Sequence, residues 1–183
     1  MASPTYNFRT EKENSANEIQ FHFISKGPSD VIKAVQYIYV GDLGGQRIFN
    51  MGFGDYDIET DYIDDQINTE NGDVYKVFNT VLNTIPSFFE IFPGEIMMVS
   101  GSDSKPEYIE KCKENCEKKC GDKCRKAGRR IGLYTGYVNK NFDNLSQEYM
   151  FYGGNPDEEN PKNTNLESYA KNKKYTSVFV FKK

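Results

Sequence analysis

The stretch Asp73-Val74-Tyr75-Lys76-Val77-Phe78-Asn79-Thr80-Val81-Leu82-Asn83-Thr84-Ile85 decides the fold, because the hydrophobic period changes there. Val74, Val77, Phe78, Val81, Leu82 and Ile85 recur at three- and four-residue spacing and line one face of an amphipathic helix. Asp73 stands just before them and suits the N-cap, where its carboxylate would accept the free N–H groups of the first turn. Pro86 should bend this helix or end its regular part.

Upstream of Asp73 the period is two. Ile19, Phe21 and Phe23 fall on one face of a half-buried strand over residues 18–25. Lys26-Gly27-Pro28-Ser29-Asp30 has the chemistry of a turn. Strands are expected over 31–40 and 47–54, joined by Gly41-Asp42-Leu43-Gly44-Gly45, and a fourth over 62–68. Such closely spaced strands imply an antiparallel meander.

Downstream, Ile96-Met97-Met98-Val99 marks a buried strand over 95–100, and Pro106 suits the first turn of a helix that carries the cysteines and breaks near Gly121. A helix weakened by Gly132 and Gly136 is expected over 129–144, then a strand over 148–152, a polar linker over 153–165 and a last strand over 175–181. The element order predicts an α/β (α+β) fold: a single mixed sheet with an N-terminal antiparallel meander, packed helices and a cysteine-rich helical insert. Residues 1–183 read as one domain, with the insert at 103–129. Phe78, Val81, Leu82, Ile96, Val99 and Leu133 are the expected core.

Composition agrees with one domain. In 183 residues, 13 Tyr and 13 Phe supply a core in a chain without Trp. No apolar run approaches the roughly 20 residues that span a bilayer, so no membrane partner is expected. The stretch 1–17 is polar and lacks the apolar segment of a secretion signal, which points to a cytoplasmic protein. Charge is unevenly placed. Residues 54–73 hold eight acidic side chains and no Lys or Arg. Residues 111–130 hold nine basic and three acidic ones, a local +6 against −4 for the whole chain, so the remainder carries −10. Two fields of opposite sign either face each other or offer the basic one to an anion.

The strongest chemical motif is Cys112-x3-Cys116-x3-Cys120-x3-Cys124. Cysteines four apart share a helix face with about 40° of drift per step, and a straight helix would spread them over about 18 Å, too far for one tetrahedral ion. A break at Gly121 would fold Cys120 and Cys124 back toward Cys112 and Cys116, and four thiolates would then bind a structural zinc. Surrounding lysines and arginines favour thiolate over thiol. Two alternatives stand beside zinc: disulfides pairing Cys112 with Cys124 and Cys116 with Cys120, or reduced thiols.

Other motifs are weaker. Asp55-Tyr56-Asp57-Ile58-Glu59 alternates oxygen ligands as a calcium loop does, but Thr60 and Gln66 stand where that loop needs Gly and Glu. A hairpin with a solvated acidic turn is the simpler reading. Asn71-Gly72-Asp73 reads as a turn plus a helix cap. His22, the one histidine, should face away from Phe21 and Phe23, exposed or partly packed, with no triad legible around it. Gly101, Ser102, Arg129, Arg130 and Tyr134 compose a candidate anion site at the end of a buried strand. Gly101 admits close approach, Ser102 offers a hydroxyl and Arg130 a bidentate fork. Arg130 pairing with the acidic hairpin is an equal alternative.

Together, Gly54-Asp55-Tyr56-Asp57, Asn71-Gly72-Asp73, Gly101-Ser102 and Arg130-x-x-Leu133-Tyr134 resemble a family of small uncharacterised bacterial proteins, mostly from Bacteroidetes, over residues 18–182. Some 25 residues separate Gly101-Ser102 from Arg130, where typical members have only a few, so the chain resembles a cysteine-bearing branch. The resemblance brings no activity with it. From residue 62 onward the element order is also similar to the acetyl-CoA-dependent N-acyltransferase fold. That family binds pyrophosphate on a glycine-rich loop. Here Thr69-Glu70-Asn71-Gly72-Asp73 keeps only Gly72 and sets Glu70 and Asp73 where they repel a phosphate, so acetyl-CoA is not expected to bind.

Three functions fit. The first is a non-catalytic module that contacts a protein partner through its basic insert. The second is an enzyme on an acyltransferase-like scaffold, acting on an anionic substrate. The third is a nucleic-acid-binding component of a defence or toxin module. The third is the weaker for lack of aromatic residues between Lys111 and Arg130 on which bases would stack.

Overall fold

The computed structural model describes residues 4–11, 15–64, 71–101, 103, 106–114, 120, 124, 127–160 and 163–183. Among them are nine strands and three helices, an α+β arrangement in one mixed sheet. Backbone contacts divide the chain into two compact units, Met1–Glu95 and Ile96–Lys183.

The first unit is the expected meander. Strands β1 (Phe8–Glu11), β2 (Glu18–Ser25), β3 (Val31–Leu43), β4 (Gln46–Asp57) and β5 (Tyr62–Asp64) pair antiparallel in succession. The β3–β4 hairpin closes on Gly44 and Gly45, whose φ of 60° and 86° are those of a type I′ turn, the one whose twist matches its strands. Both strands outrun the expected 31–40 and 47–54, because Gly41 sits beside a bulge in β3 and does not end it. Strand β1 was not legible in the polar N-terminus. It exists because Phe8 pairs with Phe23 in register and packs its ring edge-on to Phe21. The expected strand 62–68 is described only to Asp64, and 65–68 lie outside the described residues.

Helix α1 (Val74–Ile91) covers one face of this meander. Val77, Val81, Phe88 and Phe89 are buried, as are Phe21, Val35, Tyr37, Phe49 and Met51 of the strands. Tyr37 stacks on Phe88 at 4.5 Å and Phe49 on Phe92 at 4.6 Å. The Tyr37 hydroxyl finds Thr84 Oγ1 at 2.8 Å, so the polar atom that Tyr37 carries into this aromatic core is satisfied. Pro86 does not end the helix. The turn after it continues because Phe88 and Phe89 are locked in the core, which outweighs one missing N–H bond. Phe78 and Leu82 are half-buried at the margin of that core.

In the second unit, β6 (Ile96–Ser100), β9 (Ser177–Lys182), β7 (Tyr149–Pro156) and β8 (Thr164–Ser168) pair antiparallel in that spatial order. Helix α2 spans Pro106–Glu114, and α3 (Arg129–Glu148) packs on β6, β7 and β9. Ile96 and Val99 are buried as expected. Leu133 is not: α3 buries Ile131, Tyr134 and Val138, and Leu133 is turned to solvent at 57% exposure. The expected linker 153–165 is a correction as well. Gly153 and Gly154 belong to β7, and β8 begins at Thr164. The glycines there are not loop signals. The rings of Tyr175 and Phe179 and the Ser177 hydroxyl lie over them, where a Cβ would collide.

Candidate functional site at the start of helix α3

Of the residues expected to compose an anion site, Gly101 follows β6 and Arg129 and Arg130 open α3. Gly101 is buried, Arg129 is exposed and Arg130 is half-buried, while Ser102 lies outside the described residues. Gly128, with φ of 70°, opens α3 and gives it no side-chain cap of its own. Asp103 caps it from outside the helix. Its Oδ2 accepts the Arg130 backbone N–H at 3.0 Å, and its own carbonyl accepts the Gly128 N–H at 3.3 Å. The negative end of this contact meets the positive end of the α3 dipole. Asp103 is 5% exposed, and its second oxygen, Oδ1, has no hydrogen-bond partner among the described residues.

A carboxylate of the chain itself thus stands at the helix N-terminus, where an anionic ligand would be drawn. Sequence reasoning passed over Asp103 for Gly101 and Ser102. The signal was an acidic residue just past a strand end, but its partner is brought close only by folding. Tyr134 is buried, which pushes its phenol well above the ordinary range, with the Arg130 charge pulling it down only in part. It stays protonated at neutral pH, so it can donate a hydrogen bond but cannot act as a base.

The cysteines do not make the expected zinc site. Among the described residues, no group of three or more His, Cys, Asp or Glu is placed to hold a metal ion. Cys116 lies outside the described residues, and Cys112, Cys120 and Cys124 are half-buried. The Sγ of Cys124 donates to the Sγ of Cys112 at 2.9 Å. Two thiolates on one tetrahedral zinc, each about 2.3 Å from the metal, sit about 3.8 Å apart, so this spacing does not suit a shared ion.

A second polar cluster, at the head of α1, was missed in sequence. Asp73 does not cap the helix with its side chain. Its Oδ2 accepts instead from Ser25 Oγ and Tyr6 Oη, each at 2.7 Å. Asn71 Nδ2 donates to Ser25 Oγ at 3.0 Å. Burial raises the Asp73 pKa, but the Ser25 and Tyr6 hydrogen bonds outweigh it and hold the carboxyl below its usual value. This Ser–Asp pair has no histidine to activate it. His22 projects from the opposite face of β2, three residues away. There it is buried rather than exposed, bonded to Gln20 Oε1 at 2.9 Å and packed on Tyr56 at 4.4 Å. The acidic hairpin is formed by β4 and β5, and its Asp55 is engaged by buried Lys33.

Residues 2–109 match the model of a family of unknown function, DUF6934. The chain belongs to that family. The match takes in Gly54-Asp55-Tyr56-Asp57, Asn71-Gly72-Asp73 and Gly101-Ser102, and stops short of Arg130-x-x-Leu133-Tyr134. It bears out a resemblance to a family without assigned activity, over a shorter span than the sequence suggested. Most of the cysteine-bearing insert follows the matched residues. No curated protein and no solved structure matches the chain.

Proposed function

We propose that this protein is a non-catalytic interaction module that engages an acidic protein partner through the basic segment 103–129 and the adjoining start of α3. One observation carries the reading: Asp103 fills the N-terminus of α3, while Lys111, Lys113 and Arg129 are exposed. A small anion entering at Gly101 would meet a fixed carboxylate, whereas an extended acidic surface needs only the outward-facing cations. The +6 of residues 111–130 would speed encounter and make binding salt-dependent.

The test is fluorescence anisotropy with labelled poly-L-glutamate at low and high salt, on the wild type and on the K111E/K113E/R129E variant. Binding that weakens with salt and is lost in the variant is expected. No binding at low salt, or equal binding by the variant, overturns the reading. Binding of duplex DNA in place of poly-L-glutamate would favour the nucleic-acid alternative.

A further inference from the structure

The pair Cys112 and Cys124 carries an inference independent of the proposed partner. Their sulfurs lie 2.9 Å apart, inside the ~3.5–4.0 Å separation of unbonded heavy atoms and about 0.9 Å beyond a disulfide bond. Helix α2 supplies Cys112 on its last turns, and the Ala127 N–H bond to the Cys124 carbonyl at 3.2 Å ties Cys124 to the entry of α3. The two thiols are thus brought together by structure toward both ends of the insert. Both are half-buried, which leaves room for a small reagent. Lys111 and Lys113, exposed on either side of Cys112, favour a negatively charged one.

We infer that Cys112 and Cys124 form a reversible dithiol–disulfide couple that exchanges with anionic low-molecular-weight disulfides. The Cys112 thiolate, which accepts from Cys124, attacks one sulfur of the small disulfide. The S–S bond of the reagent breaks, one small thiolate leaves, and a mixed disulfide remains on Cys112. Cys124, as thiolate, then attacks the Cys112 sulfur and expels the second small thiolate. Two protein thiols are oxidised to one disulfide, the reagent is reduced to two thiols, and the two protons released by the cysteines pass to them. Pre-positioning of the second sulfur makes the closing step intramolecular, which is why the mixed disulfide should not accumulate.

The experiment treats the reduced full-length chain with mixtures of oxidised and reduced glutathione, quenches with acid and alkylating reagent, and maps the peptides by mass spectrometry. A Cys112–Cys124 link is expected in the wild type and in the C116S/C120S variant, and should be removed by excess reduced glutathione. In a C116S/C120S/C124S variant, glutathione should instead remain attached to Cys112. If the wild type gives only glutathione adducts, or only links that join Cys112 to Cys116 or Cys120, the inference is overturned. Circular dichroism of each variant establishes that it is folded, and the wild-type map decides the question even if a variant is not.

Discussion

His22 shows how far one side chain departs from what its neighbours suggest. Strand alternation puts it opposite Phe21 and Phe23, and it is indeed there, yet it is 8% exposed because Tyr56 and Gln20 close over it. Burial lowers its pKa below the usual value, ahead of the smaller influences of Glu11 and Arg9. The linkage has one sign. Between the folded and unfolded pKa values the unfolded chain binds more protons, so stability is full above the unfolded pKa of about 6.5 and declines as pH falls toward the lowered one. We predict that the urea midpoint drops between pH 7.5 and pH 5.5, and that His22→Gln drops by less. Equal drops in the two proteins would show that His22 does not carry the effect. Asp73 acts in the same direction at lower pH, its stabilising bonds to Ser25 and Tyr6 being lost as pH falls from the ordinary carboxylate range toward its lowered pKa.

At the scale of elements, the helices are set by what their faces bury, not by their breakers. Helix α1 continues through Pro86 since Phe88 is 0% exposed and touches Tyr37, Phe49, Phe89 and Phe92. Phe88→Ala should cost about 3–5 kcal/mol, from lost burial and the cavity left among those rings. Leu133→Ala, on the solvent side of α3, should stay within about 0.5 kcal/mol of the wild type. Chemical denaturation of both variants checks the pair. A large loss at Leu133 would restore it to the core, and a small loss at Phe88 would mean that the aromatic cluster is not what holds α1.

For the whole molecule, the two compact units, Met1–Glu95 and Ile96–Lys183, make unfolding the property that distinguishes one domain from two. The single-domain reading of residues 1–183 predicts one cooperative transition. Hydrogen exchange followed by mass spectrometry across a urea series should then give peptides of β2 and β3 the same midpoint as peptides of β7 and β9. Two separated midpoints would make the chain two domains. Within the first unit, the buried Lys33–Asp55 pair joins β3 to β4, with side chains only 9% and 14% exposed. Such a pair adds little net stability, because each charge loses its water on burial.

The meander and α1 were legible because their signals are local. Alternation of Ile19, Phe21 and Phe23, glycines at a type I′ turn and the change of period at Asp73 each act within a few residues. What the sequence alone could not decide was every contact between distant segments. Asp73 has the chemistry of a cap, but folding brings Ser25 and Tyr6 within 2.7 Å, and those hydroxyls compete for the same carboxylate. Asp103 read as the first residue of the helical insert and became the cap of a helix that begins 26 residues later. Gly153 and Gly154 read as linker until the rings of Tyr175 and Phe179 were laid over them. The cysteine spacing permitted zinc, disulfides or reduced thiols alike, and the placement of Cys112 against Cys124 speaks against zinc. Spacing along a chain fixes which residues share a face. The distance between two sulfurs is set by how the chain between them turns back, and that belongs to the tertiary structure.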